Sequence, residues 1–180
     1  MIDVPTSLIG GQSMETLLNE LASGVPDVAQ TIRVVLRILA ATLVGGVIGW
    51  ERERTGKSAG LRTHMLVSLT SAIFVIAPLE AGMNIDGLSR VIQGVAAGIG
   101  FIGAGAILKV TDARVIEGLT TAAGIWLTAA LGLAAGLGRF GLAAISVVMA
   151  WLILALVARR EIRSSNLVAD GTDTQASLKA

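Results

Sequence analysis

Residues 88–110 read LSRVIQGVAAGIGFIGAGAILKV. The central six, Gly98-Ile99-Gly100-Phe101-Ile102-Gly103, match the dinucleotide-binding glycine fingerprint letter for letter. That fingerprint works by setting a pyrophosphate on a helix N-terminus, in a water-filled crevice between a strand and a helix. Here the glycines are embedded among Val95, Ala96, Ala97, Ala104, Gly105 and Ala106, which offer neither strand nor crevice. The nucleotide reading is therefore rejected. A helix that crosses hydrocarbon needs roughly 20 mostly apolar residues, and this run supplies them.

Working outward, four more runs have the same character: 28–50, 61–81, 119–137 and 140–158. The composition agrees. The 180 residues are 53% hydrophobic and 15% charged, with a mean hydropathy of +0.76, whereas a soluble domain carries about 25% charged residues. The expected fold class is all-α, a polytopic bundle of five transmembrane helices. Residues 1–27 form a polar arm without the basic start or apolar run of a signal peptide. In the arm, Met14, Leu17, Leu18, Leu21 and Val25 recur at helical spacing and predict a short amphipathic helix, which Gly24 and Pro26 would end. Asp27 with Gln30 reads as the start of the first span, and Pro78 should kink or end the second. The domain division is thus 1–27 arm, 28–158 membrane domain and 159–180 short polar tail, the last expected to be disordered.

Basic residues in the flanks set orientation. Ten of fourteen fall on one side: Arg52, Arg54, Lys57 and Arg62 after span one, Lys109 and Arg114 after span three, and Arg159, Arg160, Arg163 and Lys179 in the tail. Arg33, Arg37, Arg90 and Arg139 fall on the other. The N-terminus is expected outside and the C-terminus in the cytoplasm, which five spans permit.

Gly45 with Gly49, Gly94 with Gly98, and Gly132 with Gly136 are three Gly-xxx-Gly pairs. Small residues at this spacing let helix backbones approach closely in lipid, where burial of apolar surface gives no drive to associate. With Gly100, Gly103 and Gly105 added, the third span has small residues on most faces and is expected at the bundle centre.

Polar residues inside the spans are few. Arg33 and Arg37, one turn apart, are read as snorkelling to the outer headgroups. His64, Ser68 and Ser71 share one face of span two; Thr121, Gly124, Thr128 and Gly132 share one face of span four. Interhelical hydrogen bonding is the expected use, and a narrow polar path is the alternative. A lone His without carboxylates at ligand spacing makes no metal site, and the absence of cysteine excludes thiolate chemistry. Residues 49–64 (GWERERTGKSAGLRTH) interleave acids with bases. A loop serving only topology needs bulk positive charge, so specific pairs are expected, such as Glu51 or Glu117 with Arg62.

Residues 49–52 (GWER), 59–67 (AGLRTHMLV), 98–105 (GIGFIGAG) and 118–126 (GLTTAAGIW) resemble, in order and spacing, the MgtC/SapB family of bacterial inner-membrane proteins. The likeness covers roughly residues 36–158. It implies a small helical membrane domain linked to growth in low magnesium, acid tolerance and survival inside host cells. It also implies regulation of other membrane machines, ATP synthase subunits among them, rather than magnesium pumping. Two features differ from the family's virulence-associated branch. Its span-four motif usually reads Gly-Leu-Asn-Thr-Ala-Ala, where this chain has Thr120 for Asn, and it carries a cytoplasmic C-terminal domain where this chain has a short tail.

The motifs converge on the side with most basic residues. A cytoplasm-facing cleft between spans one, two and four, floored by span three, is expected to hold Glu51, Arg52, Arg62, His64, Glu117, Thr120 and Thr121. Two function classes follow: a non-catalytic regulator acting through helix–helix contacts and this cleft, or a small oligomeric transporter or channel. A membrane enzyme using His64 and Ser68 is the weakest class, because nothing orients the imidazole and no oxyanion donors are evident. No cofactor, metal or nucleic acid is expected. The expected partners are the lipid bilayer, other membrane proteins and further copies of the chain.

Overall fold

The computed structural model describes Met14, Thr16 and residues 27–110 and 115–154. Most of the arm, residues 155–158 of the fifth span and the tail lie outside the described residues. Two compact units divide the chain, Met1–Val35 and Leu36–Ala180; the packing below belongs to the second.

Five helices form a membrane bundle: α1 Val28–Arg54, α2 Leu61–Glu80, α3 Ile85–Gly105, α4 Leu119–Gly136 and α5 Phe140–Leu154. The first four are long and apolar enough to cross a bilayer; α5 has 15 described residues. Between α3 and α4 lies a feature the sequence reading lacked, an antiparallel ribbon of β1 Leu108–Val110 and β2 Val115–Glu117. Span three was expected to run to Val110, but the helix stops at Gly105 and the apolar residues beyond pair across the ribbon.

Local chemistry sets the helix ends. Pro78 sits inside the last turn of α2, which ends two residues later at Glu80, and Gly82 turns the chain at φ 76°. Asn84 caps α3, its side-chain oxygen accepting from the Gly87 N–H at 2.9 Å. Gly118 opens α4 at φ 91°, and a Cβ there would collide with the Ala106 carbonyl oxygen at the end of α3. Only glycine satisfies both constraints.

The centre of the bundle is α4, not α3. Over half of α4's apolar window is buried, against 17% for α3. Its small residues explain this. A Cβ added at Gly132 would strike the Ser68 backbone, and one at Gly136 would lie 2.8 Å from Ala72 Cα. The α2 and α4 backbones therefore touch. On α1, a Cβ at Gly45 would lie 2.6 Å from the His64 carbonyl oxygen, and one at Gly49 2.7 Å from Leu61 Cα. Leu131 of α4 packs with Ile48 of α1 and Ala150 of α5, while Ile125 and Ala129 of α4 meet Ile99 of α3. On α3, a Cβ at Gly103 would make ordinary contact with Ala122, whereas Gly94, Gly98, Gly100 and Gly105 have open space around them. Gly94 and Gly98 instead line an apolar groove of about 640 Å³ between α2 and α3.

These contacts predict a contrast. Gly132→Val should lower the stability of the detergent-solubilised protein by about 1–3 kcal/mol through overpacking. Gly98→Val should change it by less than about 0.5 kcal/mol. Thermal unfolding followed by size-exclusion chromatography compares the two, and equal losses would contradict the packing.

Candidate functional site: a polar junction at one end of the bundle

The end of α1, the start of α2 and the start of α4 meet at one end of the bundle. Glu51 and Arg52 occupy the last turn of α1, where a cation complements the partial negative charge of the helix end. Arg52 is only 3% exposed. Its Nη2 donates to Thr121 Oγ1 at 3.4 Å, and its Nη1 lies 4.0 Å from Glu51 Oε2. A buried charge is tolerated only with partners; here they come from its own helix and from α4, across 69 residues of sequence.

The α1–α2 loop is short and closed on itself. The Lys57 N–H donates to the Arg52 carbonyl at 3.1 Å, and Gly56 turns at φ 67°. Glu53 reaches across the loop, its Oε2 accepting from the Leu61 N–H at 2.8 Å. That carboxylate thus caps the N-terminus of α2, where a negative charge is favourable. Arg54 stacks over Trp50, 5.9 Å from the ring centroid. Each acid in the loop therefore has a specific task, though neither pairs with Arg62.

Below Arg52 the polar residues go inward. His64 is fully buried, with Nδ1 3.0 Å from Thr128 Oγ1. The Thr128 hydroxyl donates its single proton to the Gly124 carbonyl at 2.8 Å, so it accepts from His64 Nδ1–H. Nε2 is buried, with no partner within hydrogen-bond distance among the described residues. Gly124 lies beside the pair: a Cβ there would make ordinary contact with His64 Cε1 at 3.6 Å and Arg52 Nε at 4.0 Å. One turn further, the Ser68 hydroxyl donates to the Ala41 carbonyl at 2.6 Å. On this face of α2, His64 and Ser68 are thus hydrogen-bonded inside the bundle, against backbones already in contact at Gly132 and Gly136, whereas Ser71 borders the α2–α3 groove.

The seven residues expected in the cleft divide. Arg52, His64 and Thr121 are buried together, with Glu51 beside them. Glu117 and Thr121 line a cavity of about 490 Å³ with Lys57, Ser58 and Gly118. Arg62 and Thr120 are exposed; the contact expected of Arg62 is made by Arg52, and the hydroxyl beside it is Thr121's. Floor residues from α3 are limited to Ala106, just past its end. Sequence reasoning also missed Glu53 as a cap; its eight-residue separation from Leu61 carries no recognisable spacing. Arg37 does not extend free into solvent. Its guanidinium lies against Gly138, where a Cβ would sit 3.3 Å from Nε, beside the α4 C-terminus, a favourable place for a cation.

Comparison with known proteins agrees with this architecture. The MgtC family model matches residues 38–163. SrpB of Synechococcus elongatus is 47% identical over 129 residues, covering 66% of this chain and 71% of that protein. YhiD of Escherichia coli K12, provisionally named a magnesium transporter, is 41% identical over 131 residues, covering 69% of this chain and 60% of YhiD. MgtC of Salmonella typhimurium LT2 is 36% identical over 139 residues, covering 76% of this chain and 58% of MgtC. The chain thus spans about three fifths of the length of YhiD and MgtC. No solved structure matches it. The matched segment takes in the Arg52–Thr121 junction and all of the helix seams described above, and on that extent of agreement the chain belongs to the MgtC family.

Proposed function

We propose that this chain is a non-catalytic regulator of other machinery in the bacterial inner membrane, tied to magnesium limitation or acid stress, and that it works through the polar junction and its cavity. The observation that carries this reading is the buried Arg52 held by Thr121 behind an open cavity lined by charged side chains. A charge so placed is a functional-site hypothesis by default in a membrane protein. The closed α2–α4 seam supports regulation over transport, because Ser68 and Thr128 are engaged in hydrogen bonds within the packed seam. The proposed partners are membrane proteins such as ATP synthase subunits, meeting the bundle in the bilayer, and further copies of the chain.

The proposed orientation places the junction in the cytoplasm. It gathers Arg52, Arg54, Lys57 and Arg62 at one bundle end, and basic residues stay on the cytoplasmic side. Reporter fusions at Lys57 and at Arg33 should report opposite sides, with Lys57 inside. The reverse sidedness would remove the cytoplasmic cleft.

The provisional name of YhiD favours a second reading, a small oligomeric transporter. Liposomes containing the purified chain separate the two. A magnesium flux abolished by Arg52→Gln supports transport, and its absence supports regulation.

In a deletion strain grown in low magnesium or at acid pH, Arg52→Gln and Thr121→Val should each lose complementation at normal membrane levels. Losing a hydrogen bond to a charged group costs about 1.5–3 kcal/mol, enough to unseat the junction. Thr120→Ala should complement fully, because Thr120 is exposed. Full complementation by both junction variants would overturn the reading.

A further inference from the structure

The cavity at the junction holds opposite charges that do not satisfy each other. Lys57 and Glu117 both line it, both are exposed, and neither makes an ion pair among the described residues; the Arg52–Glu51 contact is the pair found there. Behind them stands Thr121, 3% exposed, whose Oγ1 accepts from Arg52. A hydroxyl that accepts from a guanidinium keeps its own proton to donate. That wall of the cavity therefore offers donors, the Thr121 hydroxyl and the first turn of α4, whose free N–H groups favour anions, while the Arg52 guanidinium behind it is countered by Glu51 4.0 Å away. Lys57 and Ser58 add an ammonium and a second hydroxyl. Glu117 supplies the opposing negative charge.

Single-charge ligands fit this lining poorly. An anion would meet the Glu117 carboxylate, and a cation would meet the Lys57 ammonium. A molecule carrying both signs satisfies both. Like charges brought together are penalised and unlike charges rewarded, so charge arrangement selects the ligand class more than it sets raw affinity. The volume of about 490 Å³ falls within the roughly 300–1,000 Å³ usual for small-molecule sites.

We propose that the cavity bounded by Lys57, Ser58, Glu117 and Thr121 binds a small zwitterion, its phosphate or carboxylate toward Thr121 and Lys57 and its ammonium toward Glu117. This rests on the reading of the junction as the working surface and names its ligand class. A phosphoethanolamine lipid headgroup and a free zwitterionic metabolite share this chemistry, and the bundle end lies where either could reach it.

The test titrates the purified full chain in detergent with O-phosphoethanolamine, inorganic phosphate and ethanolamine by isothermal calorimetry. O-Phosphoethanolamine should bind at least about fivefold more tightly than either half alone. Lys57→Glu and Glu117→Lys should each weaken it by about fivefold or more, and the double charge swap should recover much of the loss, which a merely structural role would not do. Both side chains are exposed, so circular dichroism should show the variants folded. Native mass spectrometry identifies the source. Retained phosphatidylethanolamine displaced by O-phosphoethanolamine indicates the lipid; binding of O-phosphoethanolamine to lipid-free protein indicates the free metabolite. Phosphate binding as tightly as O-phosphoethanolamine, single reversals without effect, or no binding of any probe would each overturn the proposal. Complementation is read separately. If Arg52→Gln and Thr121→Val complement normally while zwitterion binding holds, the functional reading alone fails. If they lose complementation and no probe binds, the ligand class alone fails.

Discussion

Backbone contact between α2 and α4 is the constraint on which the rest of the bundle depends. Gly132 and Gly136 have no side chain to hold the helices apart, and a Cβ at either would enter the α2 backbone. In lipid, apolar burial does not drive helices together, so close approach and polar contacts must do so. Once α2 and α4 touch, His64 comes within 3.0 Å of Thr128, and Ser68 is left facing α1, where it finds the Ala41 carbonyl. Gly45 and Gly49 allow α1 to close on α2 by the same means, beside α4, which it meets through Ile48 and Leu131. The serine and threonine hydroxyls lock a contact that the glycines permit.

The same close approach explains how the bundle accommodates Arg52. A guanidinium taken out of water is costly unless it is paired. The end of α1 reaches Thr121 because Gly49 lets α1 lie against the start of α2. The acids are distributed accordingly. Glu51 stays beside Arg52, while Glu53 leaves the cluster to cap α2. The alternating charges of residues 51–54 therefore divide between a buried junction and a helix cap.

The helices and their limits were legible because bilayer thickness imposes a length that composition reveals directly: four spans match the apolar runs to within a few residues. The family was legible in four short motifs. The rank of the helices was not. Gly94 and Gly98 have the same spacing as Gly132 and Gly136, and spacing alone does not say which pair finds a neighbour. What distinguishes α4 is that its glycines share a face with Thr121 and Thr128, so close approach and hydrogen bonding coincide; α3 offers glycine without hydroxyls on that face. The ribbon was hidden for a different reason. The apolar composition of residues 107–110 suits either the end of a membrane helix or a strand, and only pairing with 115–117 decides. In the site, the charge pattern named both Arg52 and Arg62 but did not say which of them is buried. Arg52 and Arg62 are equally basic, and the choice between them follows from α1's helical phase, which puts Arg52 on the same face as Gly45 and Gly49 and so toward the bundle.

The bundle is therefore uneven by design of its sequence. Its interior is closed by backbone contact and by the hydrogen bonds of Ser68 and Thr128, whereas its α2–α3 face keeps an open apolar groove and its junction end keeps an open polar cavity. A tightly packed interior resists continuous deformation and moves, if at all, between discrete arrangements. Any ligand or partner that acts on such a body must do so at its open surfaces. At the junction end, the route inward runs through Arg52, since Thr121 joins the cavity wall to the guanidinium and the guanidinium is fixed to the end of α1. Thr121 thus belongs at once to the cavity wall and to the contact that ties α1 to α4.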